Sequence, residues 1–110
     1  MSPSAKAKDL FEQLNSVAKS ASRIPPDTKW ELDPRTRALV VLGAAICTGS
    51  PTRTFKVLVT SALEAGATDE EVLGVLFAVA PSAGESRVVA MTPKVSKALG
   101  YDVDDAFERG

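Results

Sequence analysis

A chain of 110 residues with no histidine and a single cysteine has few side chains that can do chemistry. The candidates are Glu85 and Arg87 in Gly84-Glu85-Ser86-Arg87-Val88-Val89, Arg53 and Lys56 after Ser50-Pro51, and Cys47. The planar fork of an arginine grips a carboxylate in two places. Arg87 stands beside an apolar run, so it either pairs with a carboxylate such as Glu85 or waits for an anion. Glu85 is the best remaining proton carrier if a pocket desolvates it and raises its pKa. Its plainer role is a first-turn glutamate favoured by the helix dipole. A cation that holds a carboxylate beside a group that moves a proton is the equipment of general acid–base chemistry.

Other chemistries lack their parts. Peroxide reduction through a dithiol needs two thiols and a base, and Cys47 is alone. It sits in an apolar segment, where the plain reading is a small buried core residue. A reactive thiol would need an electropositive neighbour, which Arg53 supplies if the following loop folds back. Lys56, Thr60 and Glu64 share one helix face and read as a solvated side. With no histidine and one cysteine, a structural zinc site has no ligand set. Asp104-Asp105 lacks the glycine loop and further ligands of a calcium site. No glycine-rich phosphate loop is present. The expectation is therefore no metal and no cofactor.

Composition sets the frame for those residues. Apolar residues make up 45% and charged residues 25%, which is ordinary globular usage. The length fits one domain with a modest core. The formal net charge is −1, and the basic residues are scattered, so nucleic acid is not an expected partner. A lone cysteine fits a reducing, cytoplasmic home. The start, MSPSAKAKDLFEQL, has no apolar signal region. The longest apolar run, 38–47, is about half of a bilayer crossing, so no membrane partner is expected.

The elements that must position these residues read as helices almost throughout. Ser4 caps a first helix with the stripe Leu10, Phe11, Leu14, Val17 and Ala18. Pro25 and Pro26 stop it and begin an extended linker that Trp30 and Leu32 pin to the body. Asp33-Pro34 opens a second helix, closed by Gly49. Ser50-Pro51 repeats that start signal for a third, which ends at Gly66. Thr68-Asp69-Glu70-Glu71 is a capping box for a fourth, running to about Ala80 before Pro81. A last helix covers roughly 83–99 and stops at Gly100. Thr92-Pro93 interrupts it with either a kink or a short break. The tail carries Tyr101, Val103 and Phe107 as docking points. No run alternates with period two, so the fold class is all-α with about five or six helices.

Two of these helices, ALVVLGAAIC and VLGVLFAVA, have no polar face. A small domain can wrap one such helix completely, but two are hard to hide. Either one is a thinly covered neighbour of a central helix, or a subunit interface covers it.

The segments LDPRTRALVVLGAAICTGSP and ALEAGATDEEVLGVL, followed by a glycine before another helix, resemble the carboxymuconolactone decarboxylase family, which shares the alkylhydroperoxidase D-like fold. The resemblance covers about residues 32–101. Its best piece, from Ala62 to Val72, joins a helix end, a glycine stop and a capped helix. The chain divides accordingly into an N-terminal helix and linker (1–31), a family-like core (32–101) and an acidic tail (102–110). The resemblance implies a compact helical domain, a homo-oligomer (trimer or hexamer), and a small-molecule pocket beside the third helix. It also implies that Leu58 stands at the place of a histidine, Pro51 and Thr54 at the places of two cysteines, and Ala38 at that of a glutamate. The groups that carry the family's known chemistry are thus replaced.

Two functions fit. One is a divergent member with a pocket for a small anionic or oxygenated organic molecule, lined by Arg87, Arg53, Cys47 and Leu58, with Glu85 carrying any lyase- or isomerase-type step. The other is a non-catalytic oligomeric binding or scaffold protein. A polar pocket favours the first, and a dry, filled interior at Leu58 favours the second.

Overall fold

The computed structural model describes residues 4–20 and 32–101. Two compact units divide the chain, one spanning Met1–Glu31 and the other Leu32–Gly110. Trp30, Pro25, Pro26 and the tail residues Val103, Asp104, Asp105 and Phe107, all singled out in the sequence, lie outside the described residues.

In the first unit, α1 spans Ala5–Ser20. Ser4 caps it, its hydroxyl accepting from the Ala7 amide at 3.1 Å. The stripe Leu10, Phe11, Leu14, Val17 and Ala18 forms as expected, yet none of it is buried.

Four helices build the second unit: α2 Pro34–Thr48, α3 Thr52–Glu64, α4 Asp69–Ala83 and α5 Glu85–Ala98. The described residues contain no strand. Viewed end-on, the helices make a square. α2 packs on α3 and α4, and α5 closes the fourth corner against the same two. Two contacts show that α2 and α4 run in the same direction. Arg35 pairs with Glu71 where both helices begin, and Gly43 faces Val75 and Val79 further along. A β-carbon on Gly43 would meet Val79 at 3.1 Å, so this glycine lets the two helices close up.

The caps explain the boundaries. Asp33 accepts from the Thr36 amide at 2.8 Å, and Pro34 takes the first helical position. Gly49 ends α2 in the left-handed region at φ 74°. Thr68 and Glu71 form the reciprocal capping box that starts α4. The start of α3 departs from expectation. Pro51, not Ser50, is the N-cap residue, and no side chain caps the turn. The Ser50 hydroxyl faces that of Thr48 at 3.3 Å instead.

Of the two internal prolines, Pro81 does not stop its helix as expected, and at Pro93 the helix stays unbroken, which leaves the kink of the two alternatives. α4 runs through Pro81 to Ala83, and α5 is one continuous helix through Pro93. Each proline strands the carbonyl four residues earlier, at Phe77 and Val89. Both residues are exposed, so water reaches those carbonyls. Thr92 adds a bond from its hydroxyl to the Val88 carbonyl at 2.7 Å.

The core is a single cluster of Leu42, Ala45, Ile46, Phe55, Val59, Ala62, Ala67, Val72, Leu76, Met91 and Val95. Each helix contributes residues three or four apart, which is the inward stripe of a 3.6-residue period. Among the described residues no polar or charged side chain is buried.

Candidate functional site

The parallel course of α2 and α4 gathers the chemistry-bearing residues at one end of the bundle. There α2 finishes, α3 begins, α4 finishes and α5 begins. α5 sends two cations to the turn between α2 and α3. The Arg87 guanidinium lies against Gly49, in the space a β-carbon on that residue would need. Lys94 donates from Nζ to the Ser50 carbonyl at 3.1 Å. Arg87 and Lys94 are seven residues apart, two turns along one face of α5.

Each contact has a simple cause. The end of α2 carries the negative pole of its peptide dipoles, which attracts a guanidinium. Gly49 has no side chain, so Arg87 can lie flat on the backbone. The first turn of α3 follows at once, with its positive pole and no side chain over it. The turn is thus a meeting of half-buried peptide groups with two cationic side chains. Neither Arg87 nor Lys94 has a carboxylate partner among the described residues.

The other sequence candidates fall around this turn unevenly. Arg53 is exposed in the first turn of α3, three residues beyond Ser50. Cys47 occupies the last turn of α2 as a free, half-buried thiol. It is not part of the core cluster, so its reading as a buried core residue is corrected. The cause is the taper of the helix end, where Ile46 turns fully inward and the next position reaches the rim. Glu85 is exposed in the first turn of α5, two residues from Arg87 and pointing elsewhere on the helix. No contact joins the two. Leu58 is half-buried and packs against the core cluster. Lys56, Thr60 and Glu64 all face solvent on α3.

Lys94 was the residue sequence reading missed. Its spacing from Arg87 was the available signal, but Thr92-Pro93 obscured it by suggesting that the helix breaks between them.

The opposite end of the bundle is a structural clamp. Arg35 of α2 reaches Glu71 of α4, whose other oxygen accepts from the Thr68 amide at 3.0 Å. That backbone bond, and after it Arg35, hold the Glu71 carboxyl below its usual value. Asp33 is lowered in the same way by the Thr36 amide and hydroxyl. These carboxylates are occupied in capping and joining helices.

The family model for the carboxymuconolactone decarboxylase family matches residues 8–95. The match begins inside α1 and runs to the end of the core in α5. No curated protein and no solved structure matches the chain. Among the described residues no helix is long and apolar enough to cross a membrane.

Proposed function

The chain belongs to the carboxymuconolactone decarboxylase family, and within it we propose that it binds a small organic anion at the turn between α2 and α3. The observation that carries this reading is the convergence of Arg87 and Lys94 on Gly49 and Ser50. A carboxylate arriving there would meet a guanidinium, an ammonium and the positive pole of α3. Arg53 adds a fourth source of positive potential from the same turn. Arg87 has a resting contact to give up, but a cation at an exposed helix end is held by only about 0.3–1 kcal/mol. A paired carboxylate repays that easily.

In this reading Arg87 anchors the negative end of the ligand, and Cys47 and Leu58 offer it half-buried surface. A lyase- or isomerase-type step would run through Glu85, the carboxylate nearest in sequence. The protein would act as a homo-oligomer, because the outer sides of α2 and α4 are apolar, and its home would be the cytoplasm.

The test is a thermal-shift screen of small mono- and dicarboxylic acids. A hit is titrated by calorimetry against wild type and Arg87→Ala. Arg87 is exposed, so loss of its charge contact should cost about 0.2–1 kcal/mol and affinity should fall by up to about fivefold. Unchanged affinity in the variant would sink the site. Turnover of a bound acid that survives Glu85→Gln would remove that residue from any chemistry.

A specific observation favours the second function, an oligomeric binding or scaffold protein without catalysis. Leu58, which the resemblance sets at the place of a histidine, packs on the core. No side chain of the histidine type replaces it anywhere in the chain. Ligand binding at Arg87 without turnover of any bound acid would select this reading.

A further inference from the structure

We propose that the acidic segment 102–110 lies back along α5 as the resident occupant of a cationic stripe there, and that a small anion must displace it to reach Arg87 and Lys94. The competition rests on the small-anion reading above, whereas the contact itself is testable without it.

Four positions make the stripe. Arg87, Ala90, Lys94 and Lys97 follow one another at spacings of three, four and three, which keeps them on one side of a helix. Arg87, Ala90 and Lys97 are exposed, and Lys94 is half-buried. Among the described residues none of these three cations has a carboxylate partner. The single acidic residue of α5, Glu85, stands two positions before Arg87 and on another side of the helix.

The residues that follow α5 have the opposite charge. Segment 102–110 reads DVDDAFERG, with four carboxylate side chains against one arginine. It lies outside the described residues, but its point of departure does not. Gly100 is left-handed at φ 98°, and its amide donates to the Lys97 carbonyl at 3.0 Å. The Tyr101 amide donates to the Ser96 carbonyl at 3.1 Å. This paired closure turns the chain off the helix axis.

Reach and register favour α5. Counted back from Tyr101 along the helix, Lys94 is about 10 Å away, Ala90 about 16 Å and Arg87 about 21 Å. Counted forward along an extended chain, Asp104 is about 10 Å away, Ala106 and Phe107 about 16–20 Å, and Glu108 about 23 Å. A segment laid back on α5 therefore sets a carboxylate over Lys94, apolar side chains over Ala90 and a carboxylate over Arg87. Lys97 falls between Asp102 and Asp104. The alternative lies at the same end of the bundle, where α4 begins. Its first turn carries Asp69, Glu70 and Glu71, which repel such a segment.

Each exposed pair is weak by itself. The tether offsets this, because it holds the carboxylates beside the stripe at an effective concentration in the millimolar range. The result is a modest competitor. Segment and ligand are both anions and use the same two cations, so occupancy by one lowers the affinity for the other.

The experiment is two-dimensional amide NMR of the full chain at two salt concentrations. At about 0.01 M charges act over about 30 Å, and at about 1 M over about 3 Å. Asp104→Asn, Asp105→Asn and Glu108→Gln together neutralise the segment and should move the low-salt signals of Gly49, Lys94 and Lys97. Lys94→Gln keeps a donor for the Ser50 carbonyl and should in turn move the signals of 104–108. Both effects should vanish at high salt. Succinate is the probe for competition, and at low salt the neutralised chain should bind it about fivefold tighter than wild type. Signals that stay in place in either set of variants overturn the contact. Equal succinate affinity in the two chains overturns the competition. If neither chain binds succinate while the signals remain coupled, the small-anion reading falls and the segment stands as the stripe's own occupant.

Discussion

At the scale of single residues, Gly49 has two reasons to be glycine. Its backbone is left-handed at φ 74°, and the Arg87 guanidinium fills the space of its missing side chain. Gly49→Ala meets both penalties. The conformational one alone is roughly 1–2 kcal/mol, and displacement of Arg87 adds to it. Thermal unfolding of the variant should show a loss of at least that size, and an unchanged midpoint would contradict the cap geometry. Glu71 makes a different prediction. Its folded pKa is lowered, first by the Thr68 amide and then by Arg35. A lowered carboxylate contributes stability that is fully present above its unfolded value and is lost as pH falls through the folded value. Asp33 acts in the same direction. Stability should be flat near neutrality and fall below about pH 4.5. Glu71→Gln should flatten part of that acid limb in chemical denaturation measured from pH 6 to 3. An acid limb identical to wild type would show that the clamp has no weight.

At the scale of elements, four cap signals carry most of what the sequence disclosed. Ser4, Asp33-Pro34, Gly49 and Thr68-Glu71 each act through bonds within a few residues, so local sequence suffices to read them. The misreadings have a common physical origin. Ser50 resembles Asp33 in its relation to the next proline, yet its hydroxyl turns to Thr48. Pro81 looks like a stop and Pro93 like a kink or a short break, but their stranded carbonyls lie on wet faces, which only the packing decides. The site suffered from the same limit. Arg87 was found from its apolar flank, while Lys94 and the contact with Gly49 depend on α5 crossing the α2–α3 turn. Paired variants check this account. Thr68→Ala should cost about 1 kcal/mol through loss of the capping box. Ser50→Ala should cost much less, since that hydroxyl caps nothing. Urea denaturation midpoints compare the two, and equal losses would mean that Ser50 caps α3 in solution.

At the scale of the whole molecule, the described core belongs entirely to one unit. Every buried residue of the cluster lies between Leu42 and Val95, and α1 buries none of its own. The bundle is closed by short connections and by packing among its own four helices. The family match nonetheless takes in α1 from residue 8, and α1 keeps a clean apolar stripe with Phe11 65% and Leu14 58% exposed. A helix of 16 residues is marginal alone in water. Its stripe therefore calls for a covering surface, and the bundle, with its own core, is expected to fold by itself. These two statements separate stability from assembly. A chain beginning at Leu32 should unfold in one cooperative step with nearly native helical content per residue. A peptide covering residues 4–20 should show little helix by circular dichroism in dilute buffer. A shortened chain that binds hydrophobic dye and melts without a transition would show that the first unit completes the core. A peptide that is already helical alone would show that the stripe needs no cover.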